Sequence, residues 1–178
     1  MVPRQQQGFT LVEIIVGIVT LGIALTILST LLFPQAKRGA EPILQMRASE
    51  LGIALMSEIR SQSFDENSDR SGGGLRCGET GAPACTLPAN LGDDGEDRAS
   101  FNDVDDYHQL QVVIPNITNT LNEDLSSRYP GFSYAIDVCY SNNVGVCQAG
   151  VTNFKRTQVT ITTPLGQDFD FTGIRGNF

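Results

Sequence analysis

The segment Gly8-Phe9-Thr10-Leu11-Val12-Glu13 opens the long apolar stretch that decides how this chain is built. Residues 14–33 contain no charged side chain, and a run of about 20 apolar residues matches the hydrocarbon core of a membrane. Glu13 lies at the mouth of this run, where an unpaired charge is costly. The pattern therefore predicts a membrane-spanning helix whose carboxylate needs a partner.

Two simpler interpretations of this segment are a secretory signal peptide and a membrane anchor with an ordinary glutamate at its edge. A secretory signal peptide would explain a basic leader with Arg4, but the apolar run is longer than a signal-peptide core and no small-residue cleavage site follows it. We therefore expect the helix to be retained. Glu13 could also be an ordinary interfacial residue that the helix dipole favours in the first turn.

The N-terminal pattern resembles the class III signal of type IV prepilins and pseudopilins. The resemblance lies in Gly8, in Phe9 directly after it, in Glu13 at its fixed spacing and in the apolar run. It implies that a membrane-embedded prepilin peptidase cleaves between Gly8 and Phe9 on the cytoplasmic side and methylates the new Phe9 amine. The leader, residues 1–8, would be lost, and the apolar helix would sit in membrane lipid before packing inside a filament.

The same resemblance gives Glu13 a partner. Cleavage creates a cationic amine on Phe9, which can meet the Glu13 carboxylate of a neighbouring subunit in a filament. Pairing two charges in an apolar interior offsets much of their desolvation, whereas leaving one alone costs several kcal/mol. We therefore expect Glu13 to fix the register of assembly.

The chain after the apolar run predicts a second, amphipathic half of the helix. Pro34 and Pro42 should interrupt or kink it, because each removes one backbone hydrogen bond. Beyond them the pattern predicts a helix to about Ser63 that packs on a sheet. Apolar residues recur there at helical spacing: Leu44, Ala48, Leu51, Leu55 and Ile59, with Ile43, Met46, Ile53 and Met56 widening the apolar face.

The rest of the chain predicts a small β-sheet head. Residues 132–140 alternate between apolar and other side chains, which is the clearest strand signal, and residues 141–143 form a turn. Weaker strand signals lie at residues 110–114, 158–163 and 169–171. The predicted fold class is α+β, a long N-terminal helix on an antiparallel sheet, which is also the layout of type IV pilins.

The predicted cleavage site, helix and head divide the chain into four segments. They are the leader (1–8), the transmembrane and assembly helix (9–34), the amphipathic half of the helix (35–63) and the globular head (64–178).

Four cysteines fall into two equally spaced pairs. The simplest of the three connectivities joins Cys77 to Cys85 and Cys139 to Cys147; four reduced cysteines are the alternative. Neither pair has the short spacing of zinc ligands. Disulfides form outside the cytoplasm, so we expect a single-pass protein of the inner membrane with its head in the periplasm, and later at the cell surface.

The net charge of −8 is concentrated in residues 64–106, which alone carry as much net negative charge as the whole chain. This stretch predicts a solvated acidic loop face and disfavours nucleic-acid binding. The acids at 93–97 and 103–106 lack the glycine and distal glutamate of an EF-hand, so we expect no calcium site or other metal site. A calcium-binding loop is the alternative there.

Candidate catalytic residues are few. His108 is the single histidine, and we expect it to be a satisfied polar residue near the sheet; paired carboxylates occur only in loops with nothing apolar to shift their pKa values. We therefore expect no enzyme, no catalytic residue and no cofactor. Asn116 begins a glycosylation pattern that we interpret as a turn.

Short patches in the head carry a second resemblance. The resemblance is to the minor pilins of mannose-sensitive haemagglutinin (MSHA) pilus systems, and it lies in Phe64-Asp65-Glu66, in Cys77 after the glycine-rich loop, and in residues 98–107, 129–132 and 159–166. This implies a structural subunit whose partners are other pilin subunits, the prepilin peptidase and the inner-membrane pilus assembly machinery. The alternatives are a type II secretion pseudopilin and a membrane-anchored adhesin or ligand-binding head.

Overall fold

The structure of this chain is a computed structural model that describes residues 8–68, 74–113, 117–118 and 123–178, without the side chains of residues 32–40. The chain consists of two compact units, and the boundary between them lies between Ile43 and Leu44. The secondary structure comprises one long α-helix, two short 3-10 turns and four β-strands. The predicted α+β class is confirmed.

Helix α1 spans Leu11–Ser61, a length of 51 residues. Its first turn is capped by Thr10, whose Oγ1 accepts a hydrogen bond from the Glu13 N–H at 3.3 Å. The helix continues through Pro34 and Pro42, so the prolines do not interrupt it. The alternative that each proline kinks the helix, because it removes one backbone hydrogen bond, stays a prediction.

The apolar part of α1 has the properties of a membrane span. Residues Leu11–Leu31 have a mean hydropathy of 2.6, and none of the residues in their most apolar window is buried within the protein. Four hydroxyl side chains in this part bond back to carbonyls of the preceding turn, which removes their need for water. They are Thr20, Thr26, Ser29 and Thr30.

The outer part of α1 packs into the head unit through the predicted apolar face. Ala48, Leu51, Leu55 and Ile59 are buried in the main core, and Leu44 packs against it. Met56 is also buried, but Met46 and Ile53 are mostly exposed. The predicted face was therefore too wide, because residues with similar hydrophobicity fall on opposite sides of a helix that meets the sheet along one stripe.

The sheet of the head is antiparallel with strands in the order β1-β2-β3-β4. Its strands are β1 (Gln111–Val112), β2 (Ser133–Ser141), β3 (Phe154–Thr162) and β4 (Asp168–Gly176). Strand β3 begins before the predicted residue 158, and β1 is shorter than predicted, although Ile114 lies outside the described residues.

The core lies between the outer part of α1 and one face of this sheet. Ile136 on β2 is in register with Val159 on β3, which is in register with Phe171 on β4. Ile136 and Val159 are buried, and Phe171 packs against the same core. The alternation that predicted β2 therefore places one set of side chains toward the helix.

Both predicted disulfides are present. Cys77 bonds to Cys85 with Cα atoms 4.7 Å apart, and Cys139 bonds to Cys147 with Cα atoms 5.7 Å apart. The second bond closes the turn after β2, where Ser141 also forms a β-bridge with Cys147. The disulfides thus close two loops of the head.

Gly52 sets how closely α1 approaches β4. A Cβ atom at Gly52 would lie 2.2 Å from the ring of Phe171. We expect Gly52→Ala to lower the free energy of unfolding by about 1–3 kcal/mol through this overlap, although alanine favours a helix by about 1 kcal/mol over glycine. Thermal unfolding of the chain in detergent micelles, followed by circular dichroism, measures this change.

The matched control is the same substitution in a Phe171→Ala background, where the ring is gone. There Gly52→Ala should be neutral or stabilising. A loss of stability of equal size in both backgrounds would show that the ring does not limit the approach.

Candidate functional site

The N-terminal segment places its three predicted site residues at or just before the start of α1. Gly8, Phe9 and Thr10 precede the helix and are exposed. The Gly8–Phe9 peptide bond therefore lies before the helix, between two exposed residues. The rest of the leader, residues 1–7, lies outside the described residues.

Glu13 occupies the first turn of α1. Its backbone N–H contacts both the carbonyl oxygen and Oγ1 of Thr10, while its side chain is exposed. The N-terminal turn of a helix favours an anion, so this position stabilises the carboxylate before any partner arrives. The roles predicted for Gly8, Phe9 and Glu13 concern processing and assembly, and they remain predictions.

The head contains a second concentration of charge, at a buried lysine. Lys155 on β3 is fully buried. Its Nζ donates to the Phe64 carbonyl at 2.7 Å, to Asp65 Oδ2 at 3.1 Å and to Asp105 Oδ1 at 2.5 Å. The rings of Phe64 and Tyr140 lie 4.4 and 5.0 Å from this nitrogen. Strand β3 thus holds a cation inside the head, between the end of α1 and the 103–106 loop.

Asp65 is fully buried and fully hydrogen-bonded. Besides Lys155, its carboxylate accepts the N–H groups of Thr86 at 2.9 Å and Asn67 at 3.0 Å. Burial opposes ionisation, but the Lys155 ammonium and these N–H donors outweigh it, so the pKa of Asp65 lies below its ordinary value. Asp65 is therefore the carboxylate that neutralises Lys155.

Asp105 differs from Asp65 in its surroundings. Burial raises the pKa of Asp105 to about 6, although Lys155 partly counteracts this effect. Its Oδ1 contacts Lys155, but its buried Oδ2 has no hydrogen-bond partner among the described residues. One lysine thus contacts two carboxylates of unequal acidity.

Asp103 and Asp106 hold the turn that presents Asp105. Asp103 Oδ1 accepts the N–H groups of Asp105 and Asp106, and Asp106 Oδ2 accepts those of Asn102 and Asp103. Burial, with the nearby Asp105 and Asp106 charges, raises the pKa of Asp103 to about 7. These carboxylates act as backbone caps inside the protein rather than on a loop surface.

The prediction that residues 64–106 form a solvated acidic face is therefore wrong for four of their acids. Asp65, Asp103, Asp105 and Asp106 are buried, whereas Asp93, Asp94 and Asp97 are exposed as predicted. The prediction that these carboxylates have no apolar surroundings to shift their pKa values is wrong for the same reason. Sequence reasoning missed the cluster because its cation, Lys155, follows Asp65 by 90 residues and Asp105 by 50.

A second polar network joins α1 to the same loop region. Glu58 forms an ion pair with Arg98 and accepts a hydrogen bond from the Tyr107 hydroxyl at 2.8 Å. The Arg98 guanidinium lies over the rings of Phe101 and Tyr107. This network anchors residues 98–107 against the helix, and it positions the turn that carries Asp105.

Other predicted or possible site residues have structural roles. His108 Nδ1 accepts the Val138 N–H at 3.2 Å, which confirms a satisfied polar residue. Asp65, Cys77 and Cys85 come close enough to hold a metal ion, but both sulfurs are joined in a disulfide and offer no thiolate. Asn116 lies outside the described residues.

The raised pKa of Asp103 makes stability depend on pH. The folded chain keeps a proton on Asp103 that the unfolded chain releases, so the free energy of unfolding should fall as the pH rises from about 4 to about 7. Asp103→Asn keeps the accepting oxygen but cannot ionise. We expect it to flatten this dependence and to stabilise the chain near pH 8 by about 1–3 kcal/mol.

Thermal unfolding at acidic and alkaline pH, in detergent micelles, measures this effect. Asp97→Asn is the control, because Asp97 is exposed and its loss should leave the slope unchanged. An Asp103→Asn chain with the pH slope of the unsubstituted protein would contradict the assignment.

Comparison with known proteins bears on the N-terminal segment. Residues 3–32 match the family model of the prokaryotic N-terminal methylation motif. No curated protein and no solved structure gave a match. The motif implies processing by a prepilin peptidase and assembly with other pilins, and with the apolar helix it indicates membrane anchoring. The N-terminal segment of this chain is therefore that of a type IV pilin-like or pseudopilin precursor.

Proposed function

We propose that this protein is a minor pilin, a structural subunit that takes part in the assembly or function of a type IV pilus of the MSHA kind. The observation that carries the proposal is the methylation motif at residues 3–32. It is supported by the exposed apolar span Leu11–Leu31 and by an antiparallel head that packs on the outer part of the same helix. The proposed role in the filament is structural, without an enzymatic activity on a substrate and without a cofactor.

The N-terminal residues act in sequence. The peptidase removes residues 1–8 and methylates the Phe9 amine, while the apolar span holds the chain in the inner membrane with the head in the periplasm. Glu13 then meets the Phe9 amine of a neighbouring subunit. Its position in the first helical turn supports this step, because the carboxylate is held near the helix end without being consumed by an internal ion pair among the described residues.

The narrower assignment, to the minor pilin D of MSHA systems, depends on the four patches in the head. Two of these patches meet, because Asp65 and Asp105 both contact Lys155. A third includes Val159 and Ile161, which are in the main core. The patches therefore support a shared head fold more directly than a shared binding partner.

Complementation of a deletion strain tests the proposal. Loss of the gene should reduce surface pili and leave exoprotein secretion intact. The unsubstituted gene should restore piliation, whereas Glu13→Gln should not, because a neutral amide cannot pair with the Phe9 amine. Immunoblotting of sheared pili measures incorporation of the subunit.

Glu66→Gln is the matched control, since Glu66 is exposed in the head and its loss removes the same charge. It should be incorporated normally. Full incorporation of Glu13→Gln would refute the register role, and a deletion that abolished secretion but left pili intact would instead identify a type II secretion pseudopilin.

A further inference from the structure

Lys155 lies in a buried cluster of groups that could react with one another. An amine, a carboxyl group and a second carboxylate converge in a space closed to water: Lys155 and Asp65 are fully buried and Asp105 is 2% exposed. Lys155 Nζ lies 2.5 Å from Asp105 Oδ1, which is contact distance for the two groups that would react. This arrangement goes beyond what the proposed filament role requires and does not depend on it.

We propose that Lys155 and Asp105 form an intramolecular isopeptide bond, with Asp65 as the catalytic carboxylate. The amine of Lys155 attacks the side-chain carbonyl carbon of Asp105, and the new bond joins Nζ to that carbon. The bond that breaks joins the same carbon to one carboxyl oxygen. The product is a secondary amide, and one water molecule leaves.

The protons balance within the cluster. The ammonium first transfers one proton to the Asp105 carboxylate, which gives the neutral amine and the neutral acid that react. After attack, the Asp65 carboxylate takes a proton from the nitrogen and returns it to the departing hydroxyl group. No oxidant, reductant or activated donor is needed, and Asp65 ends as it began.

The surroundings favour this neutral pair. Apolar surroundings disfavour separated charges, and the rings of Phe64 and Tyr140 lie close to Lys155 Nζ. Burial also raises the pKa of Asp105 to about 6, while the pKa of Asp65 lies below its ordinary value. Asp105 therefore has the higher pKa and is the carboxyl group that is more readily protonated for the reaction. Asp65 has the lower pKa, so it stays ionised and can act as the base.

The geometry also makes Asp105, and not Asp65, the carboxyl group that reacts with Lys155. Asp65 is held by the N–H groups of Thr86 and Asn67 in addition to Lys155. Asp105 Oδ1 faces Lys155 and receives its proton, so Oδ1 is the oxygen that leaves as water. The second oxygen, Oδ2, has no hydrogen-bond partner among the described residues and remains as the oxygen of the new amide. The bond would join the 103–106 turn to β3 across 50 residues of sequence.

Mass spectrometry of the full chain, purified in detergent micelles and then reduced and alkylated, tests the proposal. The unsubstituted chain should be lighter than its sequence requires by the mass of one water molecule. Trypsin should fail to cleave after Lys155, because its ammonium is consumed, and fragment ions should place an amide between Asp105 and Lys155.

Two variants made in the same way complete the test. The Asp65→Asn chain should have the full mass of its sequence and should be cleaved by trypsin after Lys155. Its circular dichroism spectrum should be unchanged, which shows that it folds. Asp97→Asn should form the bond, because Asp97 is exposed and takes no part in holding the 103–106 turn.

The unsubstituted chain alone can overturn the proposal, whatever the variants do. If it has the full mass of its sequence and is cleaved after Lys155, the cluster is an ion triad and no bond forms. If Asp65→Asn forms the bond to the same extent as the unsubstituted chain, Asp65 is not the catalytic carboxylate.

Discussion

The structure depends on one constraint: the apolar surface of the span Leu11–Leu31 has to be covered by something other than water. None of the residues in the most apolar window of that span is buried within the protein, and exposing so much apolar surface to water is strongly unfavourable. Lipid can cover it, and so can the same helix of other subunits. The methylation motif at residues 3–32 favours both in turn, first the bilayer and then the filament.

This constraint explains the placement of polar groups along the helix. Hydroxyl side chains in the span bond to the helix backbone, so they add no unsatisfied donor to an apolar environment. Glu13 is the exception, because a carboxylate cannot be satisfied in that way. Its location in the first turn keeps the charge at the end of the span, where a neighbouring amine can neutralise it.

The head meets a similar constraint, because it holds a charged side chain in its interior. Among the described residues, the buried Lys155 amine donates hydrogen bonds to Phe64, Asp65 and Asp105. Removing one partner of such a group leaves an uncompensated charge and costs about 3–5 kcal/mol. The end of α1, the 103–106 turn and strand β3 are therefore held together by one cluster, and the disulfides fix loops around it.

The fold was predictable wherever hydrophobic periodicity is local. Alternation identified β2, helical spacing identified the buried stripe from Ala48 to Ile59, and cysteine spacing identified both disulfides. The first half of β3 was missed because Lys155 and Arg156 read as polar. The buried carboxylates were missed because a charged residue buries only with a partner, and here that partner lies far away in sequence.

At the N-terminal site, the residues could be chosen from the sequence, but the structure of a single chain does not test their roles. Its motif is contiguous, so Gly8, Phe9 and Glu13 could be chosen from the sequence with the roles that the prepilin resemblance implies. Their roles involve a peptidase and a neighbouring subunit, however, and a single chain contains neither. The structure contributes the local geometry: an exposed peptide bond before the helix and a carboxylate in its first turn.

The mature N-terminus of the protein purified from its membrane tests this account most directly. Peptide mass spectrometry should find a chain that begins at Phe9 and carries one methyl group on its amine. A chain that still begins at Met1 would contradict the account, because Glu13 would then lack the amine that it is proposed to pair with.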